Sequence, residues 1–280
     1  MRKGRKTDLI LILVFLAGLS VLLYPTVSNF YNSFHETRAI AAYETGLSSY
    51  TKEDYTAVLS SAEAYNEALA NGGTQTFESG EPVSSDYSSQ LKVSDDGMMG
   101  YVTIAKLGVQ LPIYHGTSDA VLAVGAGHLE GSSLPVGGIG THSVLMGHRG
   151  LPSAKLFTDL DQLEVGDTFT VTVLDETLTY QVDNIAIVDP DDLDLLKIDS
   201  GEDYCTLVTC TPYGINTQRL LVRGVRTENA AEPVRVGADA VRIDPVLAAP
   251  AAAAPILLIL LAVLLVRHRH HRAKGQEDGR

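Results

Sequence analysis

A cysteine and an arginine lie at equal distances from the centre of one predicted turn. Cys210 ends the apolar run DYCTLVTC, the turn TPYGIN follows, and Arg219 lies at the start of the next run, QRLLVRGVR. If the two runs pair as a hairpin, the thiol and the guanidinium face each other across the strands. A guanidinium beside a thiol favours the nucleophilic thiolate or binds a substrate carbonyl. The pair is therefore a candidate for nucleophilic chemistry, with an incidental thiol as the alternative.

A disulfide between the chain's two cysteines, Cys205 and Cys210, is the competing explanation. Residues five apart on a straight strand point to opposite faces, and their Cα atoms are roughly 16 Å apart at about 3.3 Å per residue. A disulfide needs Cα atoms within roughly 7 Å. We therefore expect Cys205 to be a small core residue and Cys210 to be a free thiol.

A thiol nucleophile needs a partner for proton transfer, and histidine is the usual one. Of the eight histidines, His148 lies in the sequence MGHRG, where Gly147 and Gly150 permit close approach of a backbone or a substrate. His142 and His148 are an even number of residues apart, so both would lie on the same face of a strand. Spacing alone therefore does not choose between them as the proton-transfer partner, and either could be structural. The other histidines are His115 and His128 in the same region, His35 beside an apolar run, and His268, His270 and His271 in the C-terminal tail.

The elements that must position these side chains are mainly strands. Residues 36–70 have apolar residues at helical spacing and end at Asn71-Gly72-Gly73, a helix stop signal. Residues 74–90 are polar and rich in Ser, Thr and Gly, which predicts a mobile loop. From residue 99 onward, seven short β-type runs are separated by Gly, Pro and Asp, with one short helix predicted at KLFTDLDQL. This pattern predicts a closed or nearly closed β-barrel.

Composition excludes several other classes of protein. The chain has 280 residues, of which 45% are apolar and 20% charged, so a disordered or collagen-like chain is excluded. The net charge of −13 disfavours nucleic acid as a partner. No Cys/His cluster has zinc-ligand spacing, so we expect neither a metal nor another cofactor.

Two uncharged apolar runs flank the acidic middle of the chain, and each adjoins a basic end. The first, Leu9–Leu23, predicts an uncleaved signal anchor, with a cleaved signal peptide as the alternative. The second, Val246–Val266, contains two prolines and precedes RHRHHR, which favours a second membrane span over a buried core helix. The positive-inside rule then places both termini in the cytoplasm and the acidic middle outside the cell.

Longer motifs resemble the class C, pilus-assembling sortases: TLVTCTPYGINTQRLLVRG, GAGHLEGSSLPVGG and GHRGLPSAKLFTDLDQL. The resemblance covers about residues 36–266 and implies a sortase-like β-barrel. It implies Cys210 as the nucleophile, His148 as the acid/base, and Arg219 as the residue that holds the sorting motif and stabilises the oxyanion. Arg149 and Arg223 do not match the family's catalytic arginine, so we expect them to be surface or structural charges.

The resemblance also divides the chain and gives it a function. We expect a basic end and signal anchor at residues 1–24, and an extracellular helical region with a lid-like loop at 25–98. The catalytic barrel follows at 99–228, a linker at 229–245, the second span at 246–266 and a basic cytoplasmic tail at 267–280. The implied enzyme cleaves an LPXTG-like motif of pilin subunits and joins the acyl group to a Lys amine of another pilin. The alternatives are a housekeeping sortase, a Cys/His hydrolase and a membrane-held binding module with an incidental cysteine.

One departure from the family pattern concerns the lid. Class C sortases carry an Asp-Pro-aromatic motif that covers the thiol, and residues 71–98 contain no such triplet. Phe77 and the pair Asp86-Tyr87 are the candidate substitutes. The alternative is that this loop is only a linker to the membrane helix.

Overall fold

A closed barrel of eight β-strands is the centre of the fold in this computed structural model, which describes residues 2–72, 75–94, 96–229 and 257. This confirms the predicted barrel. The strands are β1 (Met98–Ile104), β2 (Val109–His115), β3 (Ala126–His128), β4 (Thr141–Met146), β5 (Thr168–Val173), β6 (Glu176–Val188), β7 (Asp203–Thr211) and β8 (Gln218–Thr227).

The strand order around the barrel is β1-β2-β3-β4-β7-β8-β6-β5. The β2/β3 and β4/β7 pairs are parallel, and the other pairs are antiparallel. The seven predicted runs correspond to seven of these strands. The sequence analysis missed β3, because three residues are too few to show a period of two.

The walls formed by β4, β7 and β8 are buried on both faces. Leu145 on β4 and Leu207 on β7 point into the barrel and belong to its main core. Their neighbours Val144 and Val208 belong to a second group of buried side chains on the outer face. Double burial explains why these strands are nearly continuous apolar runs rather than strictly alternating ones.

The single helix predicted over residues 36–70 is in fact parts of two helices. Helix α1 runs from Arg2 to Leu47 and helix α2 from Lys52 to Asn71. The break comes from a capping box, in which the Thr51 hydroxyl accepts from the backbone N–H of Asp54 and the Asp54 carboxylate accepts from that of Thr51. The predicted stop is confirmed, since α2 ends at Asn71.

Helix α1 packs against the barrel through its C-terminal part. Ile40, Tyr43 and Leu47 are buried in the main core. The Tyr43 hydroxyl donates to the carbonyl oxygen of Met99 and accepts from the N–H of Leu174, both at 2.9 Å. These contacts fix the helix to β1 and to the end of β5.

The expectation of a mobile loop at residues 74–90 is corrected for the described part, residues 75–90. It contains a short helix, α3 (Ser85–Ser89), and Tyr87 at its centre is fully buried. The Tyr87 hydroxyl lies 2.9 Å from His128 Nδ1 and accepts from the N–H of Gly116. The polar composition of this segment predicted a loop because the hydrogen-bond partners that order it lie on the barrel, far away in sequence.

The expected short helix at KLFTDLDQL is also corrected. This stretch contains only a three-residue 3-10 turn, Leu160–Gln162. Leu156 has a positive φ of 41° within it, which interrupts a helical run.

Among the residues that the structure describes, one helix is long and apolar enough to cross a membrane, and it is the part of α1 from Ile12 onward. The second predicted span, the linker before it and the basic tail lie outside the described residues, apart from residues 229 and 257.

Candidate active site

Cys210 and Arg219 are direct partners across the β7–β8 hairpin. The pairing predicted from the symmetry of the turn is therefore confirmed. Both cysteines are free, with Cys205 only 1% exposed in the barrel core and Cys210 partly exposed on the opposite face. The expectation of a core Cys205 and an unpaired Cys210 is also confirmed.

His148 lies two residues beyond the end of β4, the strand that pairs with β7. Strand β4 runs parallel to β7 with each residue opposite the one 62 positions later, as in Met146 opposite Val208. Hydrogen bonds continue this register past the strand end, because the N–H of Gly147 donates to the carbonyl oxygen of Val208 at 3.0 Å. His148 and Cys210 are also 62 positions apart, so one further residue in this register would place them side by side.

By strand alternation these three side chains belong to the outer face of the barrel wall. Val208 and Leu221 lie on the same face, two positions from Cys210 and Arg219 respectively, and both are buried there. We call the buried residues of this face the outer apolar cluster; they are Leu129, Val144, Leu196, Val208 and Leu221. The thiol therefore lies at the end of an apolar surface that two other chain segments cover.

One covering segment begins at residue 75, and the other joins β6 to β7. Phe77 from the first and Leu193 from the second pack against the outer apolar cluster. The Gln75 side chain links the two regions, since its amide donates to the carbonyl oxygen of Gly131 and its oxygen accepts from the N–H of Ile198. Of the two aromatic substitutes considered for the lid motif, Phe77 lies on this surface and Tyr87 does not.

Arg219 is held by its own loop. Its Nη1 donates to the carbonyl oxygen of Gln218 at 3.2 Å and lies 3.5 Å from that of Asn216. Asn216 has a left-handed φ of 62°, which turns its carbonyl group toward the guanidinium side of the loop.

The other histidines of this region are held in structural contacts. His142 is fully buried, with Nδ1 2.9 Å from the carbonyl oxygen of Lys197 and Nε2 2.7 Å from the Thr206 hydroxyl. Burial lowers the pKa of the His142 imidazole to about 4. His142 lies at the start of β4, opposite Tyr204 rather than Cys210, and both of its ring nitrogens are in hydrogen bonds.

His128 and His115 fix the connection to α3. His128 contacts the Tyr87 hydroxyl and the carbonyl oxygen of Ser133, and burial lowers its pKa to about 4. Both ring nitrogens of His115 face backbone carbonyls, those of Gly97 and Gln90. Burial lowers the pKa of His115 more than these carbonyls raise it.

Within the described part of the chain, the His148 imidazole has no hydrogen bond or ion pair, and it is partly exposed. It differs in this from His115, His128 and His142. No group of three or more His, Cys, Asp or Glu side chains suited to a metal ion occurs among the described residues.

The two other arginines near the site make structural contacts. Arg223 forms a bidentate ion pair with Asp183 and stacks over the Tyr204 ring, 4.1 Å from its centroid. The ion pair raises the pKa of Arg223. Arg149 is paired with Asp161 and is largely buried.

Comparison with known proteins supports this fold. Residues 102–227 match the family Sortase domain. A crystal structure of sortase C1 from Streptococcus agalactiae is 52% identical, with a TM-score of 0.65, covering 69% of this chain and all of that one. A crystal structure of Streptococcus pneumoniae sortase C, described as informative on catalysis and pilin substrate specificity, is 44% identical with a TM-score of 0.63, covering 70% and 100%.

Among curated proteins, sortase D of Bacillus subtilis is 30% identical over 130 residues. The match covers 45% of this chain and 63% of that protein, so the chain spans less than two thirds of this relative's length.

The family match and the solved structures show that this chain belongs to the sortase family, and its fold is a closed eight-stranded barrel. Within the family, its structural neighbours are the class C enzymes.

Sequence reasoning missed the residues that hold the cover in place. Glu130 is 6% exposed, and its carboxylate accepts from the N–H groups of Val83 and Ser84 at 2.7 and 2.8 Å. The only sequence signal for this contact is that Glu130 is an acidic residue within a Gly/Ser-rich run. That signal does not identify Ser84, 46 residues away, as its partner.

Proposed function

We propose that the protein is a cysteine transpeptidase of the class C sortase type, with Cys210 as nucleophile, His148 as acid/base and Arg219 as oxyanion and substrate contact. The observation that carries the proposal is the cross-strand pair of Cys210 and Arg219, with His148 two residues past the end of β4, the strand that pairs with β7. The resemblance to solved sortase C structures over about 70% of the chain supports the assignment of roles.

In the first step, the Cys210 thiolate attacks the Thr–Gly carbonyl carbon of an LPXTG-like motif. The oxyanion that forms accepts hydrogen bonds from Arg219. As the tetrahedral intermediate collapses, the C–N bond breaks and the departing amine takes a proton from His148. A thioacyl-enzyme remains, and it keeps the energy of the cleaved peptide bond.

In the second step, an amine attacks the thioester. His148, now neutral, accepts the proton that this amine loses, and the C–S bond breaks to regenerate the thiolate. The product is a new amide bond formed without ATP. The outer apolar cluster is the surface on which we expect the apolar residues of the sorting motif to lie.

The acceptor in this proposal is a Lys side chain of a second pilin, which yields covalently linked pili. The similarity to Streptococcus pneumoniae sortase C, whose structure was described in terms of pilin specificity, supports this choice. The N-terminal apolar helix supports a membrane anchor with the barrel outside the cell. Anchoring of enzyme and substrate in one membrane raises their effective concentration.

Cys210→Ala tests the enzyme function, with Cys205→Ala as the matched control. Cys210→Ala should abolish thioacyl capture of a sorting-motif peptide, whereas Cys205→Ala should keep capture because its sulfur is buried on the opposite face. Mass spectrometry of captured enzyme and of the product junction provides both measurements. Capture by Cys210→Ala would overturn the proposal in favour of a binding module.

The chemical identity of the product separates the remaining alternatives. A Lys isopeptide junction between pilins is the expected result. A cell-wall amine at the junction would indicate a housekeeping sortase, and a free carboxylic acid in the presence of excess amine would indicate a hydrolase.

A further inference from the structure

A side-chain hydrogen bond joins the residue after His148 to the residue after Cys210. Arg149 Nη1 donates to Thr211 Oγ1 at 3.3 Å, 62 positions away in sequence. This is the same separation as in the β4/β7 ladder, although the backbone ladder of β4 ends at Met146. The contact therefore ties the segment that follows His148 to the end of β7.

A second side-chain bond lies on the other side of the candidate pair. The Thr209 hydroxyl donates to the carbonyl oxygen of Gly147 at 2.7 Å. Gly147 has no room for a side chain, because a Cβ there would be 2.5 Å from the Phe157 ring. The chain segments that carry His148 and Cys210 therefore contact each other both just before and just after these two residues.

Arg149 makes two more contacts with the fork of its guanidinium. Its Nη2 pairs with the Asp161 carboxylate, in the 3-10 turn that follows the loop carrying His148. Its guanidinium carbon lies 5.9 Å from the centroid of the Tyr213 ring, in the β7–β8 loop. The Arg149 side chain is only 9% exposed, whereas that of Asp161 is 48% exposed, so the guanidinium is buried and its carboxylate partner is reached by solvent.

The three partners of Arg149 belong to three different segments around the thiol. Thr211 follows the nucleophile, Tyr213 belongs to the loop whose backbone carbonyls hold Arg219, and Asp161 closes the loop that begins at His148. The planar guanidinium of an arginine has several donors in fixed directions, so it can contact three such groups at once. The ammonium group of a lysine cannot reproduce that geometry.

We propose that Arg149 is a positioning residue for acyl transfer: it holds His148 opposite Cys210 and fixes the β7–β8 loop that carries Arg219. This role rests on the proposed catalytic roles of His148 and Cys210. It differs from the expectation that Arg149 is a surface or structural charge, because its effect is on the geometry of the reacting groups.

The test uses the full chain in detergent micelles, with Arg149→Lys, Arg149→Met and Thr211→Val. Both Arg149 variants should lower kcat for peptide transfer about 30-fold with KM within about twofold, because small misplacements of reacting groups cost rate rather than binding. Thr211→Val should lower kcat in the same way but less. The double variant Arg149→Lys/Thr211→Val should be no slower than Arg149→Lys alone, since one contact is removed by either change.

Arg223→Lys is the matched control. Like Arg149, Arg223 has a carboxylate partner and a tyrosine ring beside its guanidinium, but it pairs with Thr206 on β7, away from Cys210. Its substitution should lower the melting temperature about as much as Arg149→Lys and leave kcat unchanged. An equal loss of kcat in both variants would indicate general destabilisation and overturn the proposal.

A second measurement does not require the sorting peptide. The rate of Cys210 alkylation by iodoacetamide, followed by peptide mapping at several pH values between about pH 5 and pH 10, should depend on pH differently in His148→Gln than in wild type. Arg149→Lys should change the profile in the same way as His148→Gln, and Arg223→Lys should not. An Arg149→Lys profile identical to wild type would overturn the proposal.

These results separate the two proposals. If wild type transfers peptide and Arg149→Lys matches it in kcat and in alkylation, the positioning role fails while the proposed function stands. If Cys210→Ala transfers peptide, the proposed function fails, and the alkylation profile still decides whether Arg149 positions the imidazole. If Arg149→Lys keeps full kcat and Arg149→Met does not, the positive charge alone accounts for the effect. That result would overturn the proposal that the guanidinium geometry of Arg149 positions the reacting groups.

Discussion

His148 differs from the other histidines of the barrel region in its contacts. His115, His128 and His142 are buried and have both ring nitrogens against protein oxygen or hydroxyl groups. An imidazole that must exchange protons with a substrate needs access and an unoccupied nitrogen. His148 is partly exposed and lacks such partners among the described residues.

This contrast predicts opposite effects for two histidine substitutions. His148→Gln should lower kcat by at least about 100-fold because the general acid/base is lost, while the melting temperature stays close to that of wild type. His128→Gln should instead destabilise the fold by about 1–3 kcal/mol, because the Tyr87 hydroxyl and the Ser133 carbonyl lose their buried partner. Peptide-transfer kinetics and thermal denaturation of both variants check this. A strongly destabilised His148→Gln with normal kcat would refute the assignment.

At the scale of elements, residues 75–84 form a cover rather than a linker. The N–H of Glu78 donates to the carbonyl oxygen of Glu130, and Gly80 exchanges two hydrogen bonds with Thr117. The backbone of this segment passes very close to the barrel, since a Cβ at Gly131 would be 1.9 Å from the carbonyl oxygen of Thr76. Phe77 then reaches the outer apolar cluster.

Glu130→Gln should loosen this cover. The carboxylate accepts from two backbone N–H groups, and an amide offers only one acceptor oxygen, so local opening should become easier by about 1–2 kcal/mol, or roughly 5- to 30-fold. We expect faster alkylation of Cys210 and a lower KM for the sorting peptide. Thiol-labelling rates and steady-state kinetics provide the measurements.

Glu78→Gln is the control, because it makes the same charge change at an exposed side chain of the same segment. Equal labelling rates in Glu130→Gln and wild type would mean that the segment does not control access. Deletion of residues 74–90 is a poorer test, because it also removes the fully buried Tyr87.

At the scale of the whole molecule, the buried histidines make stability depend on pH. The pKa values of His128 and His142 are about 4 in the folded protein, against about 6.5 for an unperturbed imidazole. The unfolded chain therefore binds protons first as the pH falls. Their contribution to stability is complete above about pH 6.5 and is lost as the pH falls toward 4. Burial raises the pKa of Asp203, which acts in the opposite direction.

We expect the free energy of unfolding to fall by about 2 kcal/mol per buried histidine between pH 7 and pH 5. Urea denaturation followed by circular dichroism at several pH values measures this slope. His142→Asn should reduce the slope, and His35→Asn, at an exposed position of α1, should leave it unchanged. A slope that neither substitution alters would contradict the assignment.

The sequence by itself determined the local features of the site. Period-two runs between turns defined seven strands, and the short turn TPYGIN fixed the hairpin in which Cys210 faces Arg219. Hairpin register depends on neighbouring residues and a short connection, so it can be read from sequence. The separation of Cys205 from Cys210 followed from the same strand geometry.

Long-range packing alone sets which strand lies beside the one that carries the thiol, and which segments pack on the face they share. The parallel pairing of β4 with β7 joins residues 62 apart, and no local turn sets that register; closure of the barrel does. The contacts of Arg149 with Thr211 and of Phe77 with the outer apolar cluster depend on the same long-range packing. Such contacts leave no periodic signal in the sequence, because each joins residues that only the folded chain brings together.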